Sequence, residues 1–124
     1  MLLNKMHIYI ICPVRNLTQE WRKQLDEYVI WLESIGHSVH YPPRDTPQED
    51  PTGLGICEKN RKALLGADMI HVAWDGKSEG CLFDLGMAFA LKKPIEIIPG
   101  FFPPATEGKS FASMVRAWEK ERRE

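Results

Sequence analysis

Short apolar runs and longer amphipathic stripes alternate along this chain. Four runs are short, rich in large apolar side chains and closed by Pro or Asp-Gly: His7–Cys12, His37–Tyr41, Met69–Trp74 and Ile95–Ile98. Each reads as a buried strand. The first is apolar enough to lie in the middle of a parallel sheet. The segments between them carry a helical period. Trp21, Leu25, Tyr28, Val29, Leu32 and Ile35 form one apolar stripe. Asn16, with Gln19 three residues on, resembles a capping box at its start, and Gly36 is the expected stop. A second helix is predicted over roughly Leu54–Leu65. A third begins at Cys81, where Leu82, Leu85 and Phe89 recur at i, i+3 and i+7, and closes at Lys92-Lys93 before Pro94. Asp84 then sits one turn or less inside it. Ser110–Arg123 reads as a terminal helix with Phe111, Met114, Val115 and Trp118 on one side. Arg44–Gly53 is a polar loop long enough to serve a function. The order strand-helix, three times over, then strand, loop and helix, implies an α/β sandwich of flavodoxin-like or Rossmann-like type. Its sheet is expected to be mainly parallel, with four to five strands. No linker divides the chain, so residues 1–124 are expected to form one domain.

Composition narrows the function classes. A length of 124 residues, 44% hydrophobic and 27% charged, is that of a globular domain with a real core. The net charge of −1 offers no general attraction to nucleic acid or to a membrane surface. Cys12, Cys57 and Cys81 are odd in number and far apart. That pattern suits reduced thiols in a cytoplasmic protein better than disulfides or a zinc site. No apolar run reaches membrane-spanning length, and the start of the chain lacks the features of a signal peptide.

The segment Asp75-Gly-Lys-Ser-Glu-Gly80 is the strongest chemical signal. It lies between the end of a predicted strand and the start of a predicted helix. Gly76 and Gly80 would let backbone N–H groups approach a ligand, and the helix N-terminus favours an anion. Ligands of open α/β sheets bind at the carboxyl ends of the strands. Ser78 is therefore a candidate anion ligand, and Asp84 a candidate to face a reacting centre. The plainer alternative makes Ser78 a turn residue and Asp84 a helix-dipole charge. Arg15, in the loop after the first strand, opens at the same sheet edge and suits bidentate phosphate binding. Neither Gly76-Lys77-Ser78 nor Gly108-Lys109-Ser110 is a phosphate loop, because His71 and Pro103 stand where the leading Gly is required. No dinucleotide fingerprint follows the first strand. His7, His37, His40 and His71 lack ligand spacing and read as structural or surface residues. Cys12 reads as a buried small thiol.

Several residues together carry a family resemblance. They are Ile8-Tyr9, Cys12-Pro-Val-Arg15, Asn60 eight residues before Asp68, and Phe83-Asp-Leu-Gly-Met-Ala88. Over roughly residues 7 to 98 the chain resembles the nucleoside 2-deoxyribosyltransferase superfamily, which includes deoxynucleoside 5′-monophosphate N-glycosidases. The resemblance implies that Asp84 takes the position of the family's nucleophilic Glu and Tyr9 that of the Tyr that orients it. It implies that Arg15 and Ser78 match phosphate-binding positions; Asp75, Gly76 and Gly80 of the same loop are further candidate substrate-binding residues. Ser78 replaces an acidic residue found in the transferases, a change that favours a nucleotide substrate. Two positions depart from the pattern. Asp84 is one methylene shorter than Glu, and Asn60 stands where an Asp is thought to protonate the leaving base. The activity implied is cleavage or transfer of the N-glycosidic bond of a deoxynucleoside or its 5′-monophosphate, with no metal or cofactor. The alternatives are a non-catalytic nucleotide-binding or sensing protein on the same fold, and a structural domain whose task is oligomerisation. The resemblance also implies a homodimer or higher homo-oligomer. Trp118 and Phe101-Phe102 then serve either an interface or the core, and the Arg44-Asp45-Thr46 loop is a candidate contact to base or sugar.

Overall fold

The computed structural model describes residues 4–121. Its elements run β1 (His7–Ile11), α1 (Gln19–Ser34), β2 (Ser38–His40), α2 (Pro42–Asp45), α3 (Leu54–Leu65), β3 (Met69–Val72), α4 (Glu79–Ala90), β4 (Ile95–Ile97) and α5 (Phe111–Glu121). The four strands form one all-parallel sheet in the order β2-β1-β3-β4. This is the flavodoxin-like arrangement, at the lower end of the expected strand count. The predicted terminal helix ended at Arg123, which lies outside the described residues. No helix among the described residues is long and apolar enough to cross a membrane.

The two-residue period of β1 sorts its side chains between two cores. Ile8 and Ile10 pack with Leu25, Val29 and Leu32 of α1. Tyr9 and Ile11 face the other way, into a cluster with Leu64 of α3, Leu85 and Ala88 of α4 and Val115 of α5. Ile8 to Ile11 are at most 2% exposed, as a central parallel strand requires. Strand order reverses between β1 and β3. The loops after those two strands therefore diverge to opposite faces and leave a crevice between them. The edge of β4 is covered by α5, where Glu119 Oε2 accepts from Ile97 N at 2.6 Å.

Local chemistry moves several boundaries. The cap of α1 is Thr18, whose hydroxyl accepts from Trp21 N at 3.2 Å; Asn16 lies in the preceding turn and caps nothing. Thr18 is placed three residues before the amide it caps, as the geometry of an N-cap demands. Pro42-Pro43 does end a strand, but it also opens the short α2, because Pro suits the first helical position. α4 starts at Glu79, with Ser78 as its cap, two residues before the apolar period begins. Asp84 thus lies more than one turn inside the helix. The buried face of α4 is Cys81, Asp84, Leu85 and Ala88, whereas Phe89 is 60% exposed and meets Trp118 edge-on. On α5 the buried residues are Ala112 and Val115, with Phe111 and Met114 exposed. In both helices the largest apolar residues misplace the stripe, since small side chains sit closest to the sheet.

Thr18→Ala is expected to lower unfolding stability by about 1 kcal/mol. Asn16→Ala is expected to stay within about 0.5 kcal/mol of wild type, as surface changes do. Urea unfolding of the two variants checks the assignment, and a larger loss in the Asn16 variant would overturn it.

Candidate active site

The crevice at the β1/β3 switch point holds a cavity of about 570 Å³. That lies within the roughly 300–1,000 Å³ usual for small-molecule sites. Its walls come from the loop after β1 (Cys12, Val14, Arg15, Asn16), from α3 (Ile56, Cys57, Asn60) and from the loop after β3 with the first turns of α4 (Asp75, Lys77, Ser78, Gly80, Asp84). An open groove of about 610 Å³ runs along the outside of α1. It contains no buried ionisable side chain and offers no comparable chemistry.

Asp84 is the buried acid of the cavity, 9% exposed. Its Oδ2 accepts a hydrogen bond from the Tyr9 hydroxyl at 2.9 Å. Burial raises the Asp84 pKa to about 6, while the hydrogen bond from Tyr9 holds it lower than burial alone would. Burial, then the charge of Asp84, pushes the Tyr9 phenol far above its ordinary range, so Tyr9 stays a donor. Cys12 and Cys81 are buried thiols whose pKa values are also raised by burial.

The other face of the cavity is polar and open. Arg15 is exposed and makes no hydrogen bond or ion pair with the described residues. It is available to an anion entering the cavity. The glycine loop is tighter than its sequence suggested. Asp75 Oδ1 accepts from the backbone N–H groups of Lys77 at 2.9 Å and Ser78 at 2.8 Å. Ser78 Oγ accepts from Cys81 N at 3.3 Å, as a helix cap does. Asp75 therefore shapes the loop by taking up two of its amides. Ser78 keeps its hydroxyl hydrogen, and Gly80 in the first turn of α4 keeps an N–H with no partner inside the helix. Gly76 adopts φ +80°, a left-handed conformation that turns the chain between Asp75 and Lys77.

The eight residues singled out from the sequence meet here with one qualification: seven of them line the cavity or its loop, and Tyr9 supports it from below through Asp84. The Arg44-Asp45-Thr46 segment does not contact the cavity as expected. Arg44 is turned to the surface, where both guanidinium ends reach Glu33 at 3.1 Å, and Thr46 is buried against Asn60 at 2.9 Å. Gln48 from the same stretch lines the cavity instead. Sequence reasoning missed His40, which stacks on the Tyr9 ring at 5.3 Å. Its position one residue before Tyr41 in an edge strand carried no signal of that contact.

No protein-family profile matches the sequence, and no curated protein does. Solved structures do match. The chain superposes on a CMP N-glycosidase of Clostridium botulinum, BcmB, with TM-score 0.60 and 18% identity, over 92% of this chain and 80% of that one. It superposes on a 2-deoxyribosyltransferase of Leishmania mexicana with TM-score 0.58 and 19% identity, over 77% of this chain; it spans 64% of that protein's length. At such identities the likeness shows a common fold. It is the fold that the sequence resemblance implied.

A raised carboxylate has a stability cost with a definite sign. The native state holds the Asp84 proton more tightly than the unfolded chain between the ordinary value of 3.8 and about 6. Stability therefore falls as pH rises through that window. Asp84→Asn removes the titration, and is expected to be more stable than wild type at neutral pH by about 3 kcal/mol at most. The difference should close below about pH 4. Carboxyl-carbon NMR should place the wild-type midpoint near 6 and move it higher in Tyr9→Phe. A midpoint in the ordinary carboxylate range would contradict the desolvated site.

Proposed function

We propose that this protein cleaves the N-glycosidic bond of a nucleoside 5′-monophosphate with Asp84 as nucleophile. The observation that carries the proposal is a buried carboxylate, held by Tyr9 at 2.9 Å, in a cavity whose rim bears an Arg15 with no partner among the described residues. The fold is shared with two proteins whose names describe N-glycosidic chemistry, which supports that reaction class. One of those names specifies a ribonucleotide, so the proposal extends to either sugar.

The chemistry follows from the site. Asp84 supplies an electron pair to C1′ as the bond to the base breaks and its pair leaves with the base. The transition state is oxocarbenium-like, and the anionic carboxylate below it stabilises the developing positive charge. A glycosyl ester results, and water or a second base displaces it. Tyr9 orients the nucleophile and lowers its pKa toward a useful range. Asn60 has no titratable proton, so it is not a general acid. Arg15, the Ser78 hydroxyl and the first amides of α4 receive the 5′-phosphate, where the helix dipole also favours an anion. The loop carboxylate of Asp75 is already bonded to Lys77 N and Ser78 N, which turns its charge toward the loop. A nucleotide substrate and three free thiols fit a cytoplasmic protein. The second reading, a nucleotide-binding protein without turnover, is favoured by the amide at position 60 and by Asp84 being one methylene shorter than Glu.

Purified protein incubated with each nucleoside and each 5′-monophosphate, in ribo and deoxy forms, should release free base from a monophosphate. Asp84→Ala should reduce release by about a thousandfold or more. Arg15→Ala should raise KM for the monophosphate by about tenfold or more and leave the nucleoside unaffected. The value of kcat/KM should rise through about pH 6 as Asp84 ionises and then level. Saturable binding without base release would favour the second reading.

A further inference from the structure

A continuous set of contacts links Asp84 to a second polar group on the cavity wall. The Tyr9 ring, whose hydroxyl holds Asp84, stacks on His40 at 5.3 Å with 11° between the planes. His40 Nε2 lies 2.9 Å from Thr46 Oγ1. Thr46 donates its hydroxyl to Asn60 Oδ1 at 2.9 Å. A hydroxyl has one hydrogen to give. With that hydrogen on Asn60, Thr46 accepts from His40, so His40 carries its hydrogen on Nε2. Thr46 and Asn60 are 3% and 7% exposed, so water does not compete for these bonds. The Asn60 carbonyl is thus engaged. Its two amide hydrogens have no partner among the described residues, and the residue lines the cavity.

We infer that Asn60 donates a hydrogen bond to the departing base, and that Thr46 and His40 are positioning residues that fix its amide as a donor. The inference rests on the glycosidase reading and names the contact that receives the charge of the departing base. The ligand feature required is an acceptor lone pair beside the glycosidic nitrogen, which is O2 in a pyrimidine and N3 in a purine. When the C1′–N bond breaks, its electron pair moves onto the base and negative charge spreads to that acceptor. A fixed donor there is worth more in the transition state than in the ground state. The base departs as a hydrogen-bonded anion and takes its proton from water. The arrangement substitutes a preorganised donor for a proton transfer. An Asp at position 60 would accept from Thr46 in the same way, but its remaining oxygen donates only when protonated.

The test pairs side-chain deletions with removal of the acceptor in a purine or its weakening in a pyrimidine. The probe is the monophosphate that wild type cleaves and its analogue, 3-deaza for a purine or 2-thio for a pyrimidine. Thr46→Val removes the hydroxyl at nearly constant volume, and Thr46→Ser retains it. Thr46→Val and Asn60→Ala should each lower kcat on the natural base about tenfold, with Thr46→Ser close to wild type. On the analogue the same variants should differ from wild type by less than about threefold, because contacting groups are not additive. Equal losses on both substrates would overturn the inference and make Thr46 merely structural. Unchanged kcat in Thr46→Val would overturn it too. Both outcomes leave the glycosidase reading intact, whereas no base release by wild type from any nucleotide would overturn that reading and this inference together.

Discussion

The hydrogen bond from Tyr9 to Asp84 joins the central strand to helix α4, across 75 positions of sequence. Each partner is where it is for a core-packing reason. The strand period turns Tyr9 toward α4 while Ile8 and Ile10 turn toward α1. The Ser78 cap sets the start of α4, and so the turn on which Asp84 faces inward. A carboxylate this buried costs stability, and the phenol offsets part of that cost. Without it the charge would be buried and unpaired, which is among the more damaging states a core can hold.

From that contact the cavity divides into a dry end and a wet one. Asp84, Asn60 and Cys12 are buried at one end, while Arg15 and Lys77 are exposed at the other. A nucleotide suits such a gradient. In the proposed reaction its phosphate stays at the exposed rim with Arg15, and its anomeric carbon reaches the end where the Asp84 carboxylate is poorly solvated. The loop between the two ends is stiffened from within. Asp75 accepts from two loop amides and Ser78 caps the helix, which ties the loop to the start of α4. The Tyr9–His40 stack extends the same rigidity toward Thr46 and Asn60.

Much of this was legible in the sequence because the signals were local. The strand runs, the Leu54–Leu65 helix and the Asp-Gly break each report their own few residues, and all four predicted strands form. The candidate residues Asp84, Arg15 and Ser78 were visible because strand-end loops of a parallel sheet converge, whereas Asn60, on α3, was named only through the family resemblance. What was not legible depends on contacts between distant segments. The choice of Thr18 over Asn16 as cap turns on two residues of register. The rotation of α4 that buries Asp84 and exposes Phe89 depends on the sheet beneath it. Arg44 pairs with Glu33 on α1, and His40 meets Tyr9 across two paired strands. Periodicity within one element carries no information about such partners.

The central claim is that a protein carboxylate, not water, first attacks C1′. Methanolysis measures this directly. The substrate nucleotide would be turned over in dilute methanol and the methyl glycoside assigned by NMR. Attack by Asp84 followed by methanol requires two inversions, so the β-nucleotide should give the β-methyl glycoside. The α-methyl glycoside would show a single displacement by solvent and would contradict a nucleophilic role for Asp84.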